Sequence, residues 1–338
     1  MRTHPIQLAL ALGLASGATH SALHAQAWLP PKGDGSFNVS YGQGSMGDHL
    51  FSSKIYAFGQ PRSQDFGTSD SRTMTLGFSY GVLDRFAISA DVAYVSARYN
   101  GAFPDSAIDN GDWNSSLQDL RGFFRYQAYR SRAFVVTPLV GFVLPVSNYE
   151  TTGHSVVGTH KWAIPVGVSL GAPFGKTRPL AYLSATGAYS FVEKIHDLST
   201  NTTNATLEIG GFPHPKLTLR VYGAWQNTHG GIDWTEINDA QMEADHDAAS
   251  DADYWAAGAG VAWSINPSID LYGGYSKILS GSNVSKLSGY NIGLSWNFGK
   301  GLTDRRKIGA REGPPSASRR GEDGTPPTAA IYAGLRGW

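Results

Sequence analysis

The sequence predicts an all-β protein: a transmembrane, antiparallel up-and-down β-barrel of about twelve strands, with both termini on the periplasmic side of a bacterial outer membrane. Three observations lead there. Segment after segment alternates apolar with small or polar residues at a period of two. The connections between these segments switch regularly between tight turns and long polar loops. The composition suits a sheet, with 41 Gly, 16 Tyr and 9 Trp in 338 residues and only 16% of them charged.

Composition also excludes whole classes of chemistry. The absence of Cys removes disulfides, thiolate-ligated zinc, iron–sulfur and haem-thiolate centres and thiol nucleophiles, and no cofactor is expected. A formal net charge of zero without a basic stripe leaves nothing to hold a nucleic acid on the folded part of the chain.

Taken in order, residues 1–27 read as a secretory signal peptide: Arg2 supplies the positive start, Leu8 to Leu14 the apolar stretch, and cleavage follows Ala25 or Ala27. The best apolar run after it, 135–146, is too short for a membrane-spanning helix and contains Pro138 and Pro145. The barrel is expected over 28–298, with strands at roughly 35–46, 72–80, 85–98, 117–129, 133–147, 161–170, 180–193, 203–212, 217–228, 253–265, 269–279 and 287–298. In the clearest of them Phe86, Ile88, Ala90, Val92 and Tyr94 face one way, and Ala87, Ser89, Asp91 and Ala93 the other. Trp162, Ile164, Val166, Val168 and Leu170 form another such row. Tight or Pro/Gly-rich turns are read at Gly-Val-Leu-Asp, Arg-Ser-Arg, Gly-Ala-Pro-Phe-Gly-Lys-Thr-Arg-Pro, Pro-His-Pro-Lys and Asn-Pro-Ser, and long polar loops at 47–71, 99–116, 148–160 and 229–252, with shorter ones near 195–202 and 280–286.

A soluble β-sandwich would show the same alternation, with its apolar face turned inward. The second face here is Gly, Ala, Ser and Thr with a few charges, a poor filling for a sandwich core. Aromatics also sit near strand ends, at Phe86, Tyr94, Trp162, Trp255, Trp263, Trp296 and Phe298, as interfacial girdles do. An even strand number closes the edges that long strands would otherwise expose. The barrel is the better reading.

The last strand ends in Asn291, Gly293, Trp296 and Phe298, which resembles the C-terminal signal read by the outer-membrane assembly machinery. Residues 299–338 follow without any period, rich in Pro and Gly and basic in balance, and are expected to be a disordered periplasmic tail.

At Tyr80, Gly81, Leu83, Asp84 and Arg85 the chain resembles the outer-membrane transporter family labelled "meta-pathway of phenol degradation", which carries Tyr-Gly-Leu-Thr-Asp-Arg at a periplasmic turn. Leu117, Asp119 and Leu120 match its Gly-Leu-Gly-Asp-Leu strand start only in part, Leu144 and Pro145 match its Leu-Pro-Thr-Gly strand end, and 265–279 with 289–299 resemble its last hairpin. The likeness spans roughly 70–299. It implies a barrel concerned with uptake of a small hydrophobic or aromatic solute.

Phase places Asp91, Asp119, Arg121, Arg125, Glu208 and Arg220 inside the barrel, either as a selectivity ladder or as structural salt bridges filling the lumen. Glu208 and Arg220 flank one turn and are expected to approach each other. Gly258, Gly260 and Ala262 would leave space, and Val135, Leu139 and Val143 would make one wall apolar. A backbone radius of about 12 Å leaves a narrow lumen. None of the ten His falls in an expected strand; His154, His160, His229 and His246 lie on loops, where a Ser/His/Asp site is conceivable but would lack a rigid frame. In the acidic run 230–253, Asp245, Asp247 and Asp251 miss the calcium-loop spacing, so solvated surface charge is expected, in a position to bridge to lipopolysaccharide, and no metal. The expected protein is a monomeric channel in contact with outer-membrane lipid and lipopolysaccharide that passes a small hydrophobic solute without covalent chemistry. The alternatives are an occluded structural or binding barrel and, more remotely, a surface hydrolase.

Overall fold

Alternating β-branched and aromatic residues separated by Pro, Gly and Asn turns fold into one closed antiparallel barrel. The computed structural model describes residues 27–52, 63–64, 67–102, 104, 106–175, 180–238 and 240–299; the expected signal peptide, save Ala27, and the tail, save Gly299, lie outside the described residues. Twelve long strands form the wall: β1 (Gly35–Leu50), β2 (Thr68–Leu83), β3 (Phe86–Asn100), β4 (Asn114–Tyr126), β5 (Val135–Pro145), β6 (Ala163–Phe174), β7 (Ala181–Val192), β8 (Asn201–His214), β9 (Leu217–His229), β10 (Asp253–Asn266), β11 (Ile269–Ser282) and β12 (Val284–Phe298). Each pairs with the next, and β12 pairs back onto β1 from Gly35 opposite Phe298 to Leu50 opposite Val284. Every expected strand is present, most of them longer than expected. No helix among the described residues is long and apolar enough to cross a membrane.

The two ends of the barrel differ. At the turn end, Asp84–Arg85, Pro215–Lys216 and Pro267–Ser268 connect strands in two residues, and Asn266 caps the last of these by accepting from Ser268 N at 2.8 Å. The long connections gather at the loop end. One expectation fails there: the loop near 280–286 is a single residue, Asn283, held at φ 51°, a left-handed conformation that Asn tolerates well.

Exposure decides between barrel and sandwich. Leu76, Tyr94, Ile164, Val166, Leu170, Leu207, Ile209, Val221, Ile292 and Leu294 are exposed, while Thr75, Ser89, Asp91, Thr137, Ser169, Ser184, Thr218 and Ser295 are buried. A sheet with its apolar row outward and its polar row inward is stable only where lipid meets the outside. Aromatics mark both margins: Phe37, Phe78, Tyr80, Trp296 and Phe298 stack at the turn end, and Trp225 lies 6.0 Å from Trp255 at the loop end. Leu76, at the middle of β2 and 54% exposed, therefore faces hydrocarbon. Leu76→Arg is expected to lower stability by about 2–4 kcal/mol, measured as a shift of the urea midpoint of the barrel folded in lipid vesicles.

The packed apolar groups sit inside the barrel and at its ends. At the loop end Met46, Val95, Tyr254, Ile278, Val284 and Leu287 from the wall meet Phe51, Tyr149, Val156, Val157 and Trp234 from the loops. At the turn end Ala27 and Trp28 meet Val135, Tyr182 and Phe212.

Candidate solute pathway

All six charged residues that phase placed inside the barrel do project inward. Asp91 and Arg121 are direct partners across β3 and β4, and Arg121 Nε donates to Asp91 Oδ1 at 2.7 Å. On β8 and β9 the register sets Glu208 opposite Tyr222 and Gly210 opposite Arg220, so the charged pair meets on the diagonal: Arg220 Nη1 donates to Glu208 Oε2 at 3.0 Å. The other oxygen of Glu208 accepts from the Tyr182 hydroxyl at 2.7 Å. Arg125 donates to Ser79 Oγ at 3.2 Å, and Asp119 accepts from the Tyr149 hydroxyl at 2.7 Å.

Val135, Leu139 and Val143 stand on the inward parity of β5 as expected. The space foreseen at Gly258 and Gly260 is taken: a Cβ at Gly258 would meet the Tyr222 ring at 2.4 Å, and one at Gly260 would meet Arg220 Nε at 2.8 Å. These glycines make room for neighbouring lumen side chains rather than for a solute.

An N-terminal strap crosses the turn end. Ala27 offers its carbonyl oxygen to Thr137 Oγ1 at 2.6 Å, and Trp28 meets Tyr182 edge-to-face at 5.9 Å. Gly171 permits this approach, since a Cβ there would lie 2.6 Å from the Trp28 ring. Backbone bonds from Gly33 N to Gly81 O and from Gly81 N to Asp34 O then lead the strap into β1.

At the loop end three connections interlock as a cap. Asp109 of the 101–113 loop accepts from the backbone N–H groups of His154 and Ser155 at 2.9 and 2.8 Å. Gln118 on the wall donates to Val157 O at 2.7 Å, and Asn114 donates to Ser155 O at 3.0 Å. The 230–252 loop is tied by Gly153 N to Asp247 Oδ2 at 3.0 Å and by the one-residue turn, where Asn283 accepts from Trp234 N and donates to Asp251 O. Trp234 is 1% exposed and packs on His49 and Phe51 at 5.8 and 6.2 Å.

This cap corrects two expectations. The acidic run is not simply solvated charge, because Asp233 and Asp247 are buried and each accepts backbone or side-chain bonds. The loop histidines are not all on loose segments either. His154 has no exposed surface, stacks on Tyr99 at 4.3 Å and meets Asp109 through Nδ1 at 3.2 Å, while His246 is equally buried. Longer strands than expected also bring His49, His214 and His229 into β1, β8 and β9. Among the described residues no three His, Asp or Glu side chains group to hold a metal ion.

Between cap and wall lies a cavity of about 250 Å³, lined by Gln118, Asp119, Arg121, Lys161, Gln226 and Asp247, by hydroxyls such as Thr200 and Ser250, and by apolar groups including Val143 and Val192. Its most distinctive member, Lys161, was missed in the sequence. The signal was present, because with Trp162 and Ile164 outward, parity turns Lys161 inward beside Ala163. Lys161 Nζ donates to Thr200 Oγ1 at 2.8 Å and to Ala248 O at 2.5 Å. Burial lowers its pKa to about 8, opposed by the negative charge of Glu193.

No known family model and no curated protein matches the chain. Solved structures do. An outer membrane channel from Pseudomonas putida F1 superposes with a TM-score of 0.59 at 15% identity, over 80% of this chain and 97% of that one. The translocator domain of autotransporter NalP from Neisseria meningitidis gives 0.48 at 13% identity, over 80% and 90%. The TodX deltaS2S3 mutant, a monoaromatic hydrocarbon channel, gives 0.44 at 11% identity, over 80% and 91%. The first likeness shows the fold, that of an outer-membrane β-barrel.

Proposed function

We propose that the protein is a passive outer-membrane channel for a small solute, monomeric, with the turn end and both termini in the periplasm and the cap facing the outside. The reading rests above all on the open cavity inside the wall with charged and hydroxyl side chains in its lining, a feature suited to a wet pathway and not to a packed core. The resemblance to the transporters of phenol degradation belongs with it. So do the positions of Asn291, Gly293, Trp296 and Phe298 at the close of β12, where the assembly machinery would read them. Lipid contacts the apolar band, and lipopolysaccharide would meet the outer loops. The surface-hydrolase reading is the weaker, because a fully buried His154 offers no approach to a substrate.

An occluded binding barrel is the second reading, favoured by the ion pairs across the lumen and by the interlocked cap. Planar-bilayer recording separates the two. Wild-type protein is expected to give discrete conductance steps, and Arg125→Glu, which replaces an inward cation by an anion, to shift the reversal potential in a salt gradient toward cation preference. A wild-type barrel that is inserted and folded yet silent for every salt tested would establish the occluded form.

A further inference from the structure

We propose that the cavity under the cap is a binding site for a small organic carboxylate with an apolar body, and that Lys161 is its counter-charge. The inference rests on the channel reading and assigns its solute class.

Arg121 is committed to Asp91. Asp119 accepts the Tyr149 hydroxyl, and Asp247 accepts Gly153 N and lies 3.4 Å from His246 Nε2. Glu193, whose charge acts on Lys161, accepts from Trp162 N at 3.1 Å. Lys161 stands apart. An ammonium has three donors, and this one spends two on neutral acceptors, Thr200 Oγ1 and the Ala248 carbonyl, and takes part in no ion pair among the described residues. A buried cation hydrogen-bonded only to neutral groups, with Glu193 acting on it without a direct ion pair, pays a desolvation cost that an incoming anion relieves. The third donor, and a charge that no direct ion pair offsets among the described residues, therefore favour an anionic group at Lys161.

The rest of the cavity describes what that group is attached to. Val143, Ala163, Val192, Ala248 and Ala252 supply the apolar part of the lining, and hydroxyls and the amides of Gln118 and Gln226 supply neutral polar groups. The volume equals that of about eight waters at ~30 Å³ each, room for a single ring or a short chain. A polyhydroxylated solute would satisfy the hydroxyls but bring no anion to Lys161, and an amine would have to sit away from it, toward Asp119 and Asp247.

Benzoate is the probe. Calorimetric titration of the full barrel folded in detergent, with folding verified by its heat-dependent gel migration, is expected to show saturable benzoate binding at pH 7. Benzyl alcohol, the same ring without the charge, is expected to bind about 10- to 100-fold more weakly, as the loss of a charge-assisted hydrogen bond implies. Lys161→Gln keeps donors for Thr200 and Ala248 but removes the charge, and should weaken benzoate by a similar factor; Lys161→Arg should retain it. Wild-type affinity should fall about tenfold per pH unit once the ammonium deprotonates above about 8, and in Lys161→Gln that fall should vanish, although Glu193, Asp119, Asp247, Arg121 and His246 remain. Equal affinity for benzoate and benzyl alcohol, absence of saturable binding, or unchanged binding in folded Lys161→Gln overturns the proposal. Because binding is read without flux, a barrel that binds benzoate but conducts nothing contradicts the channel reading alone.

Discussion

Glu208→Ala is expected to destabilise the barrel by about 3–5 kcal/mol, a large fraction of the stability of a folded domain. Glu208 is 1% exposed and carries two bonds that nothing else supplies in the same place, from Arg220 Nη1 and from the Tyr182 hydroxyl. Truncation leaves a guanidinium inside the wall with its charge uncompensated, and the Tyr222 ring, 5.8 Å from Arg220 Cζ, is a weak substitute. It also frees Tyr182, against which Trp28 of the N-terminal strap is packed, so the turn end should loosen together with the wall. Urea unfolding followed by tryptophan fluorescence reads the loss. Replacing both partners, with Glu208→Leu and Arg220→Met, should recover much of it, because an apolar pair strands no charge. If Glu208→Ala unfolds at the wild-type urea concentration, the pair is solvated and contributes little, as surface pairs do.

The wall was legible because lipid imposes a strict rule on it. Each outward side chain must be apolar and each backbone group must be paired, so β3 and β6 announce themselves through Phe86 to Tyr94 and Trp162 to Leu170 with no ambiguity of phase. The same phase turns Asp91, Asp119, Arg121, Arg125, Glu208 and Arg220 inward; Asp91, Arg125, Glu208 and Arg220 are buried and Asp119 and Arg121 line the cavity, and Glu208 and Arg220, either side of a two-residue turn, form an ion pair. Beyond the reach of that rule the sequence carries no comparable signal. Val95, Tyr254, Ile278 and Leu287 are apolar residues on the inward parity near the loop end, and their meaning depends on which loop covers them. Nothing periodic in 146–162 or 230–252 shows that Val156, Val157 and Trp234 turn inward, because a loop folded onto a barrel is fixed by tertiary bonds such as Asp109 to His154 N and Asn283 to Trp234 N. The acids of that loop look like solvated charge for the same reason: burial paired with a backbone N–H leaves no local pattern.

Trp234→Ala is expected to open the cap and raise both the conductance and the time spent in the open state, without unfolding the barrel. Removing a buried Trp side chain costs about 3–5 kcal/mol in a well-packed site, and here the lost contacts, with His49, Phe51 and the inward apolar residues of the loop end, hold a loop and not a strand ladder. The cost therefore falls on the closed arrangement of the cap. A shift of about 1.4 kcal/mol between closed and open changes their ratio tenfold, so even partial relaxation should be visible in single-channel records. Asp109→Ala gives an independent route to the same result, since its carboxylate accepts the backbone N–H groups of His154 and Ser155 and meets the His154 ring. The two variants act on different loops, and their agreement would identify the cap itself as the barrier. Wild-type conductance in both, with the barrel folded and the loops released as judged by protease cleavage within 230–252, would move the barrier to the other end of the lumen, where Trp28 and Tyr182 meet.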